Sequence, residues 1–183
     1  MTPNANSFNA SPLAAQMQQA WEQVNTGNSD TAAQLFRGAI GLAESEFGSD
    51  TLETAQVYTD VSTGLFLLGE QNYEEAANLL DRALHIQTAV EGECNLGCAR
   101  LHRQLASMHN SRKDYEKAVA SLQKAVDIFE ALEVFGSEDI DAEEKDALYK
   151  DLRKTLLRAD EQKETPEGVE PATKRLLNCD GRD

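Results

Sequence analysis

Three alanines, at 32, 76 and 118, stand 44 and 42 residues apart, and Ala39, Ala83 and Ala125 keep the same offsets. So do Phe36, Leu80 and Leu122, and ahead of them the small residues Ala20, Gly64 and Ala106. Glycines 48, 92 and 136 mark breaks that are 44 and 44 residues apart. Self-similarity at this period restricts the chain to a repeat architecture. One unit cannot bury its apolar face alone, so each covers its neighbour's.

Within the period the pattern is helical. The most regular copy, Asn72 to Val90, places Ala76, Leu79, Leu80, Ala83, Leu84 and Ile86 close to a 3.6-residue repeat on one face. Asn72 and Glu75 have capping-box spacing, and the small Ala76 and Ala83 let a neighbouring helix approach. An earlier helix after Pro12 carries Leu13, Met17, Ala20, Trp21 and Val24 and ends at Gly27-Asn28. The next, capped by Ser29 or Asp30, buries Ala32, Leu35, Phe36, Ala39, Ile40 and Ala43. After the Gly48-Ser49-Asp50 break, Asp50 and Glu53 give a second capping-box signal. The third helix then carries Ala55, Val57, Tyr58, Val61, Leu65 and Leu68 and stops at Gly69. Beyond Gly92 a fifth helix starts near Asn95, and Asp114 opens a sixth.

A charged helix over about 140–160 follows, with Leu148, Leu152 and Leu156 as its stripe. The reading is an all-α helical solenoid of three hairpins, at about 12–48, 51–92 and 95–135, closed by this C-terminal capping helix. Residues 1–11 have no periodic apolar pattern and read as a disordered leader, and 161–183 as a flexible acidic and polar tail.

Composition narrows the function classes. The net charge of −15 is concentrated: residues 1–60 hold seven acids against the single base Arg37, and residues 137–170 hold twelve acids against six bases. Binding to nucleic acid or anionic lipid rests on Lys and Arg neutralising phosphate, so neither partner is expected. No apolar run approaches the roughly 18 residues that span a bilayer, and no secretory signal is visible at the N-terminus. Three cysteines without such a signal fit a reducing, cytoplasmic setting. The sequence lacks HExxH, GxSxG, CxxC and a phosphate-cradling glycine loop, so neither an enzyme nor a cofactor is expected.

A small residue at position 8, Gly27 at position 15, Tyr73 and Tyr115 at 17, then Ala at 20, Phe or Leu at 24 and Ala at 27 resemble the tetratricopeptide repeat. The long period and the GSDTLETA link at 48–55 look like the kinesin-light-chain variety. The resemblance covers 13–134. Departures are Gln16, Asp60 and His102 at position 4, Ser29 at position 17 of the first repeat, and no proline ending any second helix.

The resemblance implies a right-handed α-solenoid whose first helices line a concave wall for a protein or peptide ligand. Met17, Trp21 and Val24 come to that wall from the first repeat, and Tyr58, Val61, Leu65 and Leu68 from the second. Arg100, Arg103, Gln104, Ser107 and Asn110 come from the third. Arg100 and Arg103, three apart, can meet a ligand carboxylate, or can instead pair with Glu91 or Glu93. The family's lysine–asparagine clamp on a C-terminal carboxylate is disfavoured, because Met17 and Trp21 occupy its positions. The implied function is a protein–protein interaction adaptor. One alternative is a small acidic chaperone resembling those of type III secretion. The other is a metal or redox sensor built on Cys94, Cys98 and His102, spaced i, i+4, i+8.

Overall fold

The computed structural model describes residues 11–134 and 141–164. The Phe135–Gly136–Ser137 break, most of the expected leader and the expected tail beyond Glu164 lie outside the described residues. Those described form α1 (Pro12–Thr26), α2 (Ser29–Phe47), α3 (Leu52–Leu67), α4 (Tyr73–Glu91), α5 (Leu96–Ser111), α6 (Tyr115–Val134) and α7 (Ala142–Glu164). A short 3-10 turn, Glu70–Asn72, precedes α4. Among the described residues there is no strand.

Helix ends follow local chemistry in some places and distant partners in others. Ser11 Oγ accepts from the Ala14 amide at 3.2 Å ahead of Pro12. Gly27, with φ at +80°, ends α1 in the left-handed conformation that glycine adopts without strain. The α3 cap is Thr51 rather than the expected Asp50, its Oγ1 accepting from the Thr54 amide at 3.3 Å. The expected Asn72–Glu75 capping box does not form. Arg37 of α2 takes both side chains, Glu75 through two nitrogens at 2.7–3.1 Å and Asn72 Oδ1 at 3.4 Å. A two-nitrogen fork from a full guanidinium charge across the helix pair outcompetes the single backbone N–H of a local cap.

The chain divides into two compact units, Met1–Leu101 and His102–Asp183. In the first, α1 packs on α2, α2 on α3, and α3 along α4. Its core holds Phe36, Ala39, Tyr58, Val61, Leu65, Leu80 and Ala83, all fully buried. Gly64 lets α3 press onto α2, since a Cβ there would lie 2.3 Å from Phe36 Cζ. The edge of Trp21 completes this contact, its ring centroid 5.2 Å from that of Phe36 at 78°. A polar cluster ties three helices together. Tyr58 Oη donates to Glu44 Oε1 at 2.6 Å and accepts from Arg82, whose guanidinium lies 4.2 Å over the Tyr58 ring. Buried Ser62 Oγ donates to the Ala76 carbonyl at 2.7 Å, joining α3 to α4.

In the second unit α6 packs on α7 around Leu122, Ala125, Phe129 and Leu148. The α5–α6 turn passes through Lys113 with φ at +62°, closed by the Asp114 amide on the His109 carbonyl at 3.0 Å. Tyr149 Oη donates to Glu130 at 2.6 Å and Lys145 pairs with Glu133, further linking α7 to α6. The stripe of α7 departs from expectation. Leu156 is 43 % exposed and Leu157 60 %, whereas Leu148, Thr155 and Ala159 are buried and Leu152 half-buried. Spacings of 4, 3 and 4 follow the helical face more closely than the 4 and 4 of an all-leucine stripe.

Candidate partner-binding surfaces

In the first unit the expected wall residues separate into two groups. Met17, Trp21, Val24 and Leu68 are partly accessible. Tyr58, Val61 and Leu65 have no exposed surface, so they are core residues and not contact residues. The reason is that α3 is covered on two sides. It also buries Thr54, Ala55, Val57, Ser62 and Gly64 against α2 and α4, so most of its apolar positions are spent internally.

What α3 leaves accessible is a different stripe: Gln56, Asp60, Thr63 and Leu67, the last 61 % exposed. Gln56 Nε2 donates to Asp60 Oδ1 at 3.0 Å. Burial pushes the Asp60 carboxyl above its ordinary range, with the Gln56 bond acting in the other direction. Spacings of 4, 3 and 4 from Gln56 to Leu67 in the sequence carried this signal.

In the second unit α5 and α7 enclose a groove of about 420 Å³. From the expected set it takes Arg103, Ser107 and Asn110; Arg100 and Gln104 do not line it. Asp151, Lys154, Thr155 and Arg158 supply the opposite side from α7, and buried Ala106 and Leu122 add apolar surface. Arg103 donates from Nε at 3.1 Å and from Nη2 at 3.0 Å to Asp151 Oδ2, so its partner is on α7 and not Glu91 or Glu93. Asn110 Nδ2 donates to Thr155 Oγ1 at 2.9 Å, and that hydroxyl donates in turn to the Asp151 carbonyl at 2.8 Å. The α7 residues were missed because an acidic, alternating-charge helix reads as a solvent-facing cap. The buried Thr155 on its apolar face was the available signal.

The expected Cys94, Cys98 and His102 stripe is not assembled. Helix α5 begins at Leu96, which leaves Cys94 in the preceding link and exposed. Cys98 is buried, with Sγ accepting from Asn95 Nδ2 at 3.2 Å, while Asn95 Oδ1 caps the helix through the Cys98 amide at 2.9 Å. Among the described residues no group of three or more His, Cys, Asp or Glu side chains is placed to hold a metal ion. No described helix is long and apolar enough to cross a membrane.

The family described as Tetratricopeptide repeat matches residues 63–131. No curated protein sequence matches the chain. Among solved structures, BtubC (BKLC) from P. vanneervenii superposes with a TM-score of 0.68 at 17 % identity, over 93 % of this chain and 66 % of that one. The chain thus spans just under two thirds of that structure. A Podosopora anserina putative kinesin light chain with nearly identical TPR-like repeats gives 0.54 at 13 % identity over 91 % of each chain. The Sgt2 TPR domain from Aspergillus fumigatus gives 0.50 at 14 % identity, over 90 % of this chain and 95 % of that domain. At these identities the superpositions speak for an all-α solenoid fold, and the matched segment runs from α3 to α6. Residues 63–131 match the tetratricopeptide-repeat family, and the superposed structures share the all-α solenoid fold.

Proposed function

We propose that the chain is a protein–protein interaction adaptor that holds a segment of a partner protein on its first-helix surfaces. The observation that carries this reading is the α5–α7 groove. Three of the residues expected at a ligand wall, Arg103, Ser107 and Asn110, line one concave feature together with polar groups of a second helix. Concavity with a few convergent polar groups is what a specific binding site needs. The partly accessible Met17, Trp21, Val24 and Leu68, with exposed Leu67, offer the first unit's own apolar contact surface.

The test is selection from a displayed peptide library on the intact protein, followed by affinity measurement on two variants. Ser107 is exposed, so Ser107→Glu fills the groove with little effect on folding; Leu67→Glu does the same for the first unit's surface. Variants are compared only where helicity and melting match the parent. Selected peptides are expected to lose at least about tenfold in affinity to Ser107→Glu, equivalent to about 1.4 kcal/mol. Peptides indifferent to both substitutions would place the binding surface elsewhere and refute the reading.

A further inference from the structure

Helix α7 has a second face. Leu148, Thr155 and Ala159 are buried, and at about 100° per residue Leu157 lies directly opposite them. Leu157 is 60 % exposed and its neighbour Leu156 43 %. Around Leu157 the charges are ordered along the helix. Arg153 and Lys154 stand on its N-terminal side, Asp160 and Glu161 on its C-terminal side, and all four are exposed. Residues seven apart nearly repeat on a helix, so Arg153 and Asp160 share one flank of Leu157, and Lys154 and Glu161 the other.

These opposite charges do not serve one another within the helix. Seven residues separate them by about 10 Å along the axis, whereas helical ion pairs form at three or four residues. Nearer groups are committed elsewhere. Asp151, three residues from Lys154, pairs with Arg103, and Lys163, three from Asp160, pairs with Glu116. Lys150 is held by Asp146 at 2.6 Å. Arg153, Lys154 and Asp160 make no ion pair among the described residues.

We propose that this face of α7 binds the same face of a second copy of the chain, antiparallel, about a two-fold axis through Leu157. The two leucines then meet on the axis. Arg153 falls beside Asp160 of the partner subunit and Lys154 beside Glu161 of the partner subunit, each offset by only about 1.5 Å along the helices. Symmetry makes both pairs twice. A parallel pairing sets cations against cations and acids against acids, so the charge order selects one direction. Self-complementarity of this kind is what a two-fold interface requires. One helix face buries less than the roughly 800 Å² per partner of a standard interface, and two chains of net charge −15 repel one another. The association is therefore weak and reversible. It leaves Asp151, Thr155 and Arg158, the groove's side of α7, uncovered. Two grooves held together engage a two-site partner with avidity.

The test is sedimentation velocity on the full chain from about 10 μM to about 1 mM, the range in which an interface below standard size titrates. The parent is expected to pass from monomer to dimer across it, and Leu157→Glu should abolish the transition. The Arg153→Glu, Lys154→Glu variant has a uniformly acidic face, and the Asp160→Lys, Glu161→Lys variant a uniformly basic one. Each should self-associate at least about tenfold more weakly than the parent. Mixed in equal amounts, the two restore every pair and should form a heterodimer about as tight as the parent's dimer. All the substituted side chains are exposed, and variants are compared only where melting matches the parent.

A parent chain that stays monomeric throughout would overturn the proposal, including the case in which another part of the same chain covers Leu157. A dimer unmoved by Leu157→Glu would place the contact elsewhere. A mixture no tighter than its separate components would overturn the antiparallel register, and a series of larger oligomers would contradict a closed two-fold. None of these results bears on the peptides selected for the α5–α7 groove, so the adaptor reading stands or falls separately.

Discussion

Gly64→Ala is the substitution for which general rules and this structure disagree. In a helix interior, alanine in place of glycine ordinarily gains about 1 kcal/mol, because glycine loses more backbone freedom on folding. Gly64 lies within α3, so propensity alone predicts a more stable protein. Here the new Cβ would stand 2.3, 2.4 and 2.9 Å from Phe36 Cζ, Cε2 and Cε1. Restoring ordinary contact at 3.4 Å requires a retreat of 1.1 Å, the difference of 3.4 and 2.3 Å. Phe36 has little room for it, being fully buried with Trp21 edge-on against its ring. Overpacking a core of this kind costs about 1–3 kcal/mol. The steric penalty offsets or outweighs the gain in helix propensity, and the expected net loss is up to about 2 kcal/mol, or a fall in Tm of up to several degrees.

The control is Phe36→Leu, which withdraws the ring. That change alone is destabilising through lost burial. In its background Gly64→Ala should reverse sign and stabilise by up to about 1 kcal/mol, because the added methyl fills space and the propensity gain is no longer opposed. A double-mutant cycle by urea unfolding gives the coupling directly, with far-UV circular dichroism for the global transition. Fluorescence of Trp21, the single tryptophan, reports the contact itself. A Gly64→Ala effect of the same sign and size in both backgrounds would refute the steric account.

At alkaline pH, stability should be level up to about pH 10 and fall between about pH 10 and 12. Burial first, then the bond to Glu44, pushes the Tyr58 hydroxyl up to about 12, and the bond to Glu130 pushes Tyr149 to about 12 as well. The unfolded chain releases these protons earlier than the folded one, so rising pH favours unfolding; urea midpoints across the interval should fall less steeply in Tyr58→Phe and flatten in the Tyr58→Phe, Tyr149→Phe double variant. Glu75→Gln, at a pair with side chains 46 % and 37 % exposed, should cost under about 1 kcal/mol and cost less as salt rises. Ser62→Ala should cost about 1 kcal/mol and show no such salt dependence, since it removes a neutral buried bond to the Ala76 carbonyl. Chemical denaturation at two ionic strengths distinguishes the last two.

The helices were readable because their signal is periodic and repeats. Phe36, Leu80 and Leu122 recur in register and all three are buried. The caps were less readable, because a capping box is a local rule and its partners can be drawn off from far along the chain. Arg37 reaches Glu75 across 38 residues and Asn72 across 35. Which wall residues are accessible was half readable for a related reason. An apolar stripe says that residues are buried or meant to be covered, but not by what. On α3, Tyr58, Val61 and Leu65 look the same in sequence whether they face a ligand or α2 and α4. Polar residues in the groove were more informative, since Arg103 and Asn110 have no reason to lie inside a purely apolar packing layer.

The acidic balance of the whole chain and the basic lining of the groove act over different distances. In physiological salt, exposed charges are screened over about 8 Å, so a ligand approaching from solvent meets whichever surface is nearest and not the total of −15. Acidic surfaces elsewhere turn an acidic segment away. Within the groove, beside Lys154, Arg158 and Arg103, the local sign is positive. Each exposed contact there is worth little alone, because water competes for both charges.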